Sequence, residues 1–133
     1  MNSFLFSITS NDGKFFEENV EEVYFTSILK GDRAILSNSE DLGCLLDVSK
    51  IFYKKNDNIY YISISGGIMS FHDNSAIFIV DTFELENEID KNRVLKAKFD
   101  AENILKDSTK SPDELKKAEF SLKKALNRLS ILK

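Results

Sequence analysis

The chain has 133 residues, of which 42% are hydrophobic, and carries a formal net charge of −4. This length gives room for one domain, or for a small domain with an appendage, and 11 phenylalanines can fill its core. No apolar run approaches the roughly 20 residues of a transmembrane helix, and no signal-peptide pattern opens the chain. We therefore expect a soluble, cytoplasmic protein.

The first half of the chain has the pattern of short β-strands. Alternating apolar residues predict strands at 4–9, 20–29, 33–36, 42–46 and 51–53. Asparagine, aspartate and glycine separate these stretches, as in Asn11-Asp12-Gly13. Short strands at this spacing predict an antiparallel sandwich or barrel.

A glycine pair lies at the centre of the β-region. Residues 59–65 and 68–71 alternate like strands, and Gly66-Gly67 between them predicts a hairpin turn, because tight hairpin turns need positive φ. Residues 76–80 are apolar at every position, which predicts a strand covered on both faces.

Beyond Asp81 the hydrophobic period changes from two to about 3.6, which indicates helices. Asp90 is the predicted N-cap of the first helix and Ser111 that of the second, where Pro112 and Glu114 complete a capping box. The second helix carries a three-four apolar repeat, formed by Leu115, Ala118, Leu122, Ala125, Leu129 and Leu132. This seam predicts one partner helix, and the first helix can fold back onto it as an antiparallel hairpin.

The predicted fold class is therefore α+β, with an N-terminal antiparallel β-sandwich at 1–84 and a C-terminal antiparallel two-helix hairpin at 85–133. Charge divides at the same boundary: residues 1–84 hold 6 basic and 13 acidic groups, while residues 85–133 hold 12 and 9. The basic last helix is either a solvated face or a docking surface for an acidic protein. Nucleic acid is disfavoured because the chain as a whole is acidic.

No catalytic constellation is evident. Cys44 lies in an apolar stretch and is interpreted as a buried thiol, and His72, the only histidine, follows a strand beside a turn. One cysteine and one histidine are too few for a zinc site, and the five glycines are too scattered for a phosphate loop. We expect no enzyme activity, no required cofactor and no metal.

Several short motifs are informative when taken together. They are Asp12-Gly13, Ile64-Ser65-Gly66-Gly67, Asp81-Thr82-Phe83-Glu84, Glu88-Ile89-Asp90 and a final stretch at 118–130. In this order they resemble the epsilon subunit of F-type ATP synthases, or a divergent paralogue of it in a related rotary ATPase. The resemblance covers nearly the whole chain. It implies a flattened sandwich of about ten strands and a helical hairpin that either lies on the sandwich or extends towards the catalytic subunits. In that family the extended form restrains ATP hydrolysis.

The resemblance also implies partners. Such a subunit is not an enzyme; it binds the gamma subunit of the central stalk, reaches the catalytic alpha/beta head through its helices and meets the membrane rotor ring on the cytoplasmic face of the cell membrane. The family's Pro-Gly-His-x-Pro loop, which faces the ring, is replaced here by Ser37, Asn38, Ser39, Glu40 and Asp41. Because the proline-fixed backbone is lost, the ring contact is left open.

Two candidate sites follow from the same resemblance. The groups that would meet an acidic segment of the catalytic beta subunit are Lys116, Lys117, Lys123, Lys124 and Arg128. The residues that match a regulatory ATP site are Glu84, Ile89, Asp90, Arg93, Lys124 and Arg128, with Val94 in place of an alanine. The alternative is that Asp90 only caps its helix and Arg93 pairs with a nearby carboxylate.

Three functions stay open at this point. The chain is the epsilon subunit of an ordinary ATP synthase, an epsilon-like subunit of a divergent motor without a standard proton ring, or a free-standing ATP-binding sensor. Co-purification with catalytic subunits separates the third from the first two, and co-purification with a proteolipid ring separates the first from the second.

Overall fold

A computed structural model describes residues 2–132, in which there are eight strands, a 3₁₀ turn and two helices. The strands are β1 (Phe4–Ser10), β2 (Phe15–Val20), β3 (Glu22–Ser27), β4 (Gly31–Leu36), β5 (Leu42–Lys55), β6 (Asn58–His72), β7 (Ser75–Val80) and β8 (Phe83–Leu85). The 3₁₀ turn at Glu86–Glu88 leads to the helices α1 (Lys91–Leu105) and α2 (Pro112–Ile131). Within the described range, neither helix is long and apolar enough to span a membrane.

The strands form one hydrogen-bonded sheet that is folded over itself. Its order is β2-β1-β7-β6-β5-β3-β4, and β8 pairs with β6 as well. Inward side chains from across the sheet, including Phe6, Phe25, Ile51 and Phe78, share a single apolar core. The predicted sandwich is thereby confirmed. One pair, β1 with β7, is parallel rather than antiparallel, which strand patterns alone did not predict.

The predicted hairpin turn at Gly66-Gly67 is wrong. The two glycines lie inside β6, which pairs with β5 in one uninterrupted register. The turn of this hairpin is Asn56-Asp57 instead, where both residues have positive φ, of 52° and 66°. The predicted strands at 42–46 and 51–53 are likewise two parts of the single strand β5.

The glycine pair serves as a bend. Core-facing residues of β6 are even-numbered before the pair, as in Ile64, and odd-numbered after it, as in Met69. Gly66 and Gly67 have φ of +96° and +151°, and a Cβ on Gly67 would lie 2.2 Å from the carbonyl oxygen of Ile79 in β7. Glycine is therefore required where the two strands approach each other closely.

Two other strand predictions are corrected. The strand β2 was not predicted, because most of its side chains are polar or outward-facing and only Val20 is fully buried. The strand β7 is covered on one face only: Ile77 and Ile79 are 44% and 48% exposed. An apolar run shows that both faces of a strand carry apolar side chains, but it does not show whether other elements cover both faces.

The helix boundaries follow the predicted caps. The carboxylate of Asp90 accepts hydrogen bonds from the amides of Asn92 and Arg93, at 3.0 and 3.3 Å. Ser111 and Glu114 form the capping box that begins α2. These side chains satisfy amides that have no partner within the helix.

The two helices pack against each other and then against the sandwich. In the predicted seam of α2, Ala118 and Ala125 are fully buried. A second core, smaller than the first, joins the helices to β6; its buried members are Ile89, Val94, Ala125 and Ile131, with Tyr61, Leu129 and Leu132 partly buried around them. The hairpin therefore leans on the sandwich. Since β8 ends at Leu85, the predicted domain boundary after residue 84 falls inside that strand.

Candidate functional site

The helix α2 is bound to the sandwich by ion pairs. The ammonium group of Lys123 donates to Asp47 Oδ2 in β5 at 2.5 Å. Arg128 Nε lies 2.7 Å from Glu84 Oε1 in β8. The helical hairpin is therefore folded onto the sandwich in this structure and is not extended.

Asn127 lies between these two cations in the sequence and contacts both long strands. Its Nδ2 donates to the carbonyl oxygen of Ser49 at 2.7 Å and to Ser63 Oγ at 2.9 Å. One turn further along α2, Ile131 is only 3% exposed and belongs to the second core. Lys123, Asn127 and Ile131 therefore form one stripe at four-residue steps, and we call these three residues the docking stripe.

Sequence reasoning missed the docking stripe. It assigned Lys123 to a partner protein and gave Asn127 and Ile131 no role. The four-residue spacing was available as a signal, because it places the three side chains on the side of α2 away from the seam residues. The acceptors in β5 and β6 could not be inferred from that spacing.

The charges at this contact are only partly shielded from water. The hydrogen bond from Lys123, together with that from the Val48 amide, lowers the pKa of Asp47 below its usual value. The side chains of Asp47 and Lys123 are nonetheless 55% and 50% exposed. Pairs of this kind contribute about 0.2–1 kcal/mol each.

Of the candidate ATP residues, Glu84 and Arg128 are in contact, and Lys124 is engaged elsewhere. Glu84 and Arg128 form the ion pair described above, so each already has a partner of opposite charge. The ammonium group of Lys124 lies over the ring of Phe120, 5.0 Å from its centroid, in a cation–π contact.

The candidate ATP residues around the start of α1 have other roles. Asp90 caps the helix, and Ile89 is buried in the second core beside Val94. Arg93 is exposed on the first turn of α1. Its predicted alternative partner, a nearby carboxylate, does not occur among the ion pairs formed by residues 2–132.

The five candidate docking cations fall into two groups. Lys123 and Arg128 are paired with carboxylates of the sandwich, and Lys124 lies on an aromatic ring. Lys116 and Lys117, nearer the start of α2, have exposed side chains.

The candidate ring-facing loop is held by the turn between β6 and β7. The amide of Asn38 donates to Asn74 Oδ1 at 3.0 Å. Asp41 Oδ2 lies 2.8 Å from Nδ1 of His72, and Asp73 Oδ2 lies 3.2 Å from the other ring nitrogen. These contacts connect the loop to the turn between β6 and β7. Ser37, Ser39 and Glu40 complete it, and Ser39 Oγ accepts from the Leu36 amide at 3.0 Å.

The sandwich has a contiguous apolar surface facing outward. Leu45, Ile68 and Ile79 are direct neighbours across β5, β6 and β7, and Ile77 follows on the same face of β7. Their exposed fractions lie between 44% and 52%. We call these four residues the outer apolar patch. Neighbouring exposed apolar side chains of this kind mark interaction sites. Cys44, on the opposite face of β5, is buried as predicted.

These observations define a class: a folded-over β-sandwich that carries a helical hairpin docked by α2. Family models match both parts. Residues 3–86 match the beta-sandwich domain of the ATP synthase delta/epsilon chain, and residues 87–133 match its long alpha-helix domain. The chain therefore belongs to the ATP synthase delta/epsilon chain family.

Individual relatives agree over the full length. An ATP synthase epsilon chain of Exiguobacterium sp. is 35% identical over 132 residues, covering 98% of this chain and 96% of the relative. One of Pediococcus pentosaceus is 28% identical over 129 residues, covering 96% and 93%. The organisation of the chain is that of an epsilon subunit of the F-type ATP synthase.

Solved structures show the same fold. A chain in the Euglena gracilis mitochondrial ATP synthase, solved as an OSCP/F1/c-ring assembly, aligns with a TM-score of 0.83 over 100% of this chain and 83% of that one, at 17% identity. A chain of the Tetrahymena thermophila mitochondrial central stalk and c-ring aligns with a TM-score of 0.63 over 97% and 96%, at 10% identity.

Proposed function

We propose that the chain is a non-catalytic subunit of the central stalk, which binds the gamma subunit, couples the catalytic head to the rotor and regulates ATP hydrolysis through α1 and α2. The match of both family models, in order and over residues 3–133, carries this proposal. As a component of such a complex, the chain is proposed to be peripheral, on the cytoplasmic face of the cell membrane.

The outer apolar patch is the proposed contact with the gamma subunit. Burying four half-exposed aliphatic side chains supplies a driving force that needs no charged partner. We expect the chain to form a stable 1:1 complex with a gamma subunit, and Ile68→Lys to weaken that complex about tenfold or more. Leu36→Lys is the matched control, because Leu36 and Ile68 are both 49% exposed but Leu36 lies outside the patch. Undiminished binding by Ile68→Lys would exclude the patch as the contact.

Regulation is proposed to act through the basic face of α2. When the hairpin extends, Lys116, Lys117, Lys123, Lys124 and Arg128 would meet an acidic segment of the catalytic head. Deleting residues 111–133 should then raise the ATPase turnover of the assembled complex, most strongly at low ionic strength, because salt screens exposed charges. Unchanged turnover at low ionic strength would contradict an inhibitory role for the hairpin.

ATP is proposed as an optional regulatory ligand rather than a required cofactor. Arg93, Lys124 and Arg128 supply positive charge, but Arg128 would first have to leave Glu84. We expect binding weaker than in a fully matching relative by about 1–3 kcal/mol, the scale of a charged hydrogen bond. Calorimetric titration of the wild-type chain, Arg93→Ala and Arg128→Ala tests this. No heat at millimolar ATP, or equal heat in all three proteins, would leave Asp90 as a helix cap only.

Contact with the rotor ring distinguishes an ordinary epsilon subunit from an epsilon-like subunit of a divergent motor. The loop Ser37–Asp41 lacks proline and carries two carboxylates, so contact with a standard proton ring is left open, and an epsilon-like subunit of a divergent motor is the alternative. Purifying the complex from its own cells and identifying the subunits that accompany the chain decides between them, because only an ordinary ATP synthase brings a proteolipid ring.

A further inference from the structure

We propose that Asp47 and Glu84 act as an internal substitute for the acidic surface that α2 binds on its partner. The proposal rests on the proposed function, in which α2 leaves the sandwich and its cations meet an acidic segment of the catalytic head. It adds that the sandwich competes for the same cations, so that carboxylates of the sandwich set how readily the hairpin is released.

The pairing pattern carries the inference. Lys123 and Arg128, five residues apart on α2, each bind one carboxylate of the sandwich, at 2.5 and 2.7 Å. The two carboxylates come from different strands, β5 and β8, and Glu84 is only one residue from the linker that leads to α1. Because α2 must leave the sandwich to extend, each of these cations has to give up its carboxylate before it can meet the partner.

The remaining contacts give the docked position its geometry. Asn127 donates to β5 and β6, and Ile131 is buried at the end of the docking stripe. These uncharged contacts hold α2 in place and do not occupy its cations. The docked helix therefore combines neutral contacts that fix its position with ion pairs that compete with the partner.

Opposite effects on inhibition follow from which side of the ion pair is changed. Asp47→Asn or Glu84→Gln removes one internal acid, makes release of α2 easier and leaves one of its cations free, so inhibition of ATP hydrolysis should become stronger. Lys123→Gln also makes release of α2 easier but removes a cation that the partner needs, so inhibition should become weaker. A purely structural role for the pair predicts the same direction for both.

The first measurement uses the full-length chain alone. Hydrogen exchange of the α2 amides, followed by mass spectrometry at low ionic strength, should become about two- to fivefold faster in Asp47→Asn and in Glu84→Gln, the range for loss of one partly exposed pair. Asp57→Asn is the matched control, since it removes the same charge from an exposed turn of the sandwich. Exchange in α2 that is the same in all four proteins overturns the proposal.

The second measurement uses the assembled complex. Asp47→Asn should lower ATPase turnover and Lys123→Gln should raise it; a change in the same direction overturns the proposal. The charge exchange Asp47→Lys with Lys123→Asp should restore slow exchange in α2 without restoring inhibition, because the partner remains acidic. Deletion of 111–133 tests the inhibitory role independently, so failure of the proposed function is recognised there.

Discussion

At the scale of single residues, Gly67 is the position where the fold tolerates least change. Its φ of +151° is open mainly to glycine, and the backbone of β7 occupies the space that a side chain would need. Gly13 shares the positive φ, at +87°, but has nothing within 4 Å of a Cβ. A side chain at Gly13 would meet only the strain of a positive φ, whereas one at Gly67 would meet both that strain and steric overlap.

We expect Gly67→Ala to lower the free energy of unfolding by at least about 3 kcal/mol, because overpacking adds to the strain of positive φ. Gly13→Ala should cost only about 1–2 kcal/mol, from positive φ alone. Chemical denaturation of both variants measures the difference. Equal losses would show that β6 and β7 separate readily at Gly67.

His72 is a second residue with an informative setting. Both ring nitrogens face carboxylates, and a neutral imidazole has only one N–H to donate. The hydrogen bond to Asp41, and then the charge of Asp73, raise the pKa of His72 above its usual value of 6.5. The protonated form is therefore favoured by folding.

The sign of the pH effect follows from that direction. The stabilising contribution of His72 is fully present below pH 6.5 and is lost as the pH rises through the raised pKa of the folded state. Because the chain has one histidine, a proton NMR titration reads this pKa without assignment. Asp41→Asn should lower it, whereas Glu40→Gln, in the same loop, should leave it close to the wild-type value. A pKa unaffected by Asp41→Asn would contradict the contact.

At the scale of elements, the helices were the part best predicted from the sequence. Each helix begins after its N-cap, Asp90 or Ser111, whose side chain bonds an amide no more than three residues ahead. The sequence signal for the start of each helix is therefore local. The seam of α2 was equally readable, because its partner α1 is the neighbouring element. Local interactions of this kind leave a pattern that a single sequence displays.

The N-cap of α2 can be tested directly. Ser111→Ala removes the acceptor for the Glu114 amide and should destabilise the chain by about 1 kcal/mol. Ser121→Ala, in the exposed middle of the same helix, should change stability by no more than about 0.5 kcal/mol, and in the favourable direction. Thermal unfolding of the two variants, compared with the wild type, gives both values. A Ser111→Ala loss no larger than the Ser121→Ala change would argue against the capping box.

The strands and the docking contacts were harder to predict for a physical reason. A positive φ at Gly66-Gly67 serves a turn and a bend equally, and the choice is made by β7, which approaches from further along the chain. Likewise, Lys123 and Arg128 were recognised as cations, but their partners Asp47 and Glu84 lie far away in sequence. Exposure of Ile77 and Ile79 depends on what covers β7, which composition does not record.

At the scale of the whole molecule, residues 2–132 form two cores of unequal size. The sandwich core gathers side chains from across the sheet, whereas the second core has four buried members and includes two positions from α2. Because local opening is least costly where few apolar contacts are lost, the helical hairpin should open without the sandwich.

Native-state hydrogen exchange should show this hierarchy. We expect amides of α1 and α2 to open with a free energy lower by about 2 kcal/mol or more than amides of β1, β6 and β7, which is about thirtyfold in rate. Asn127→Ala should widen the gap by speeding exchange in α2 alone, since it removes two hydrogen bonds to the sandwich. A single rate common to strands and helices would mean that the molecule unfolds as one unit.

The parallel pairing of β1 with β7 has a consequence for synthesis of the chain. Leu5 lies opposite Ser75, so the inner edge of β1 has no partner until about 70 further residues have been made. At about 5–20 residues per second, a ribosome needs several seconds to supply them. During that time β1 can pair only with β2, and its open edge is available to other nascent chains. Production of this protein should therefore be limited by aggregation before β7 emerges, and slowing translation within the first 75 codons should lower the soluble yield more than slowing it afterwards.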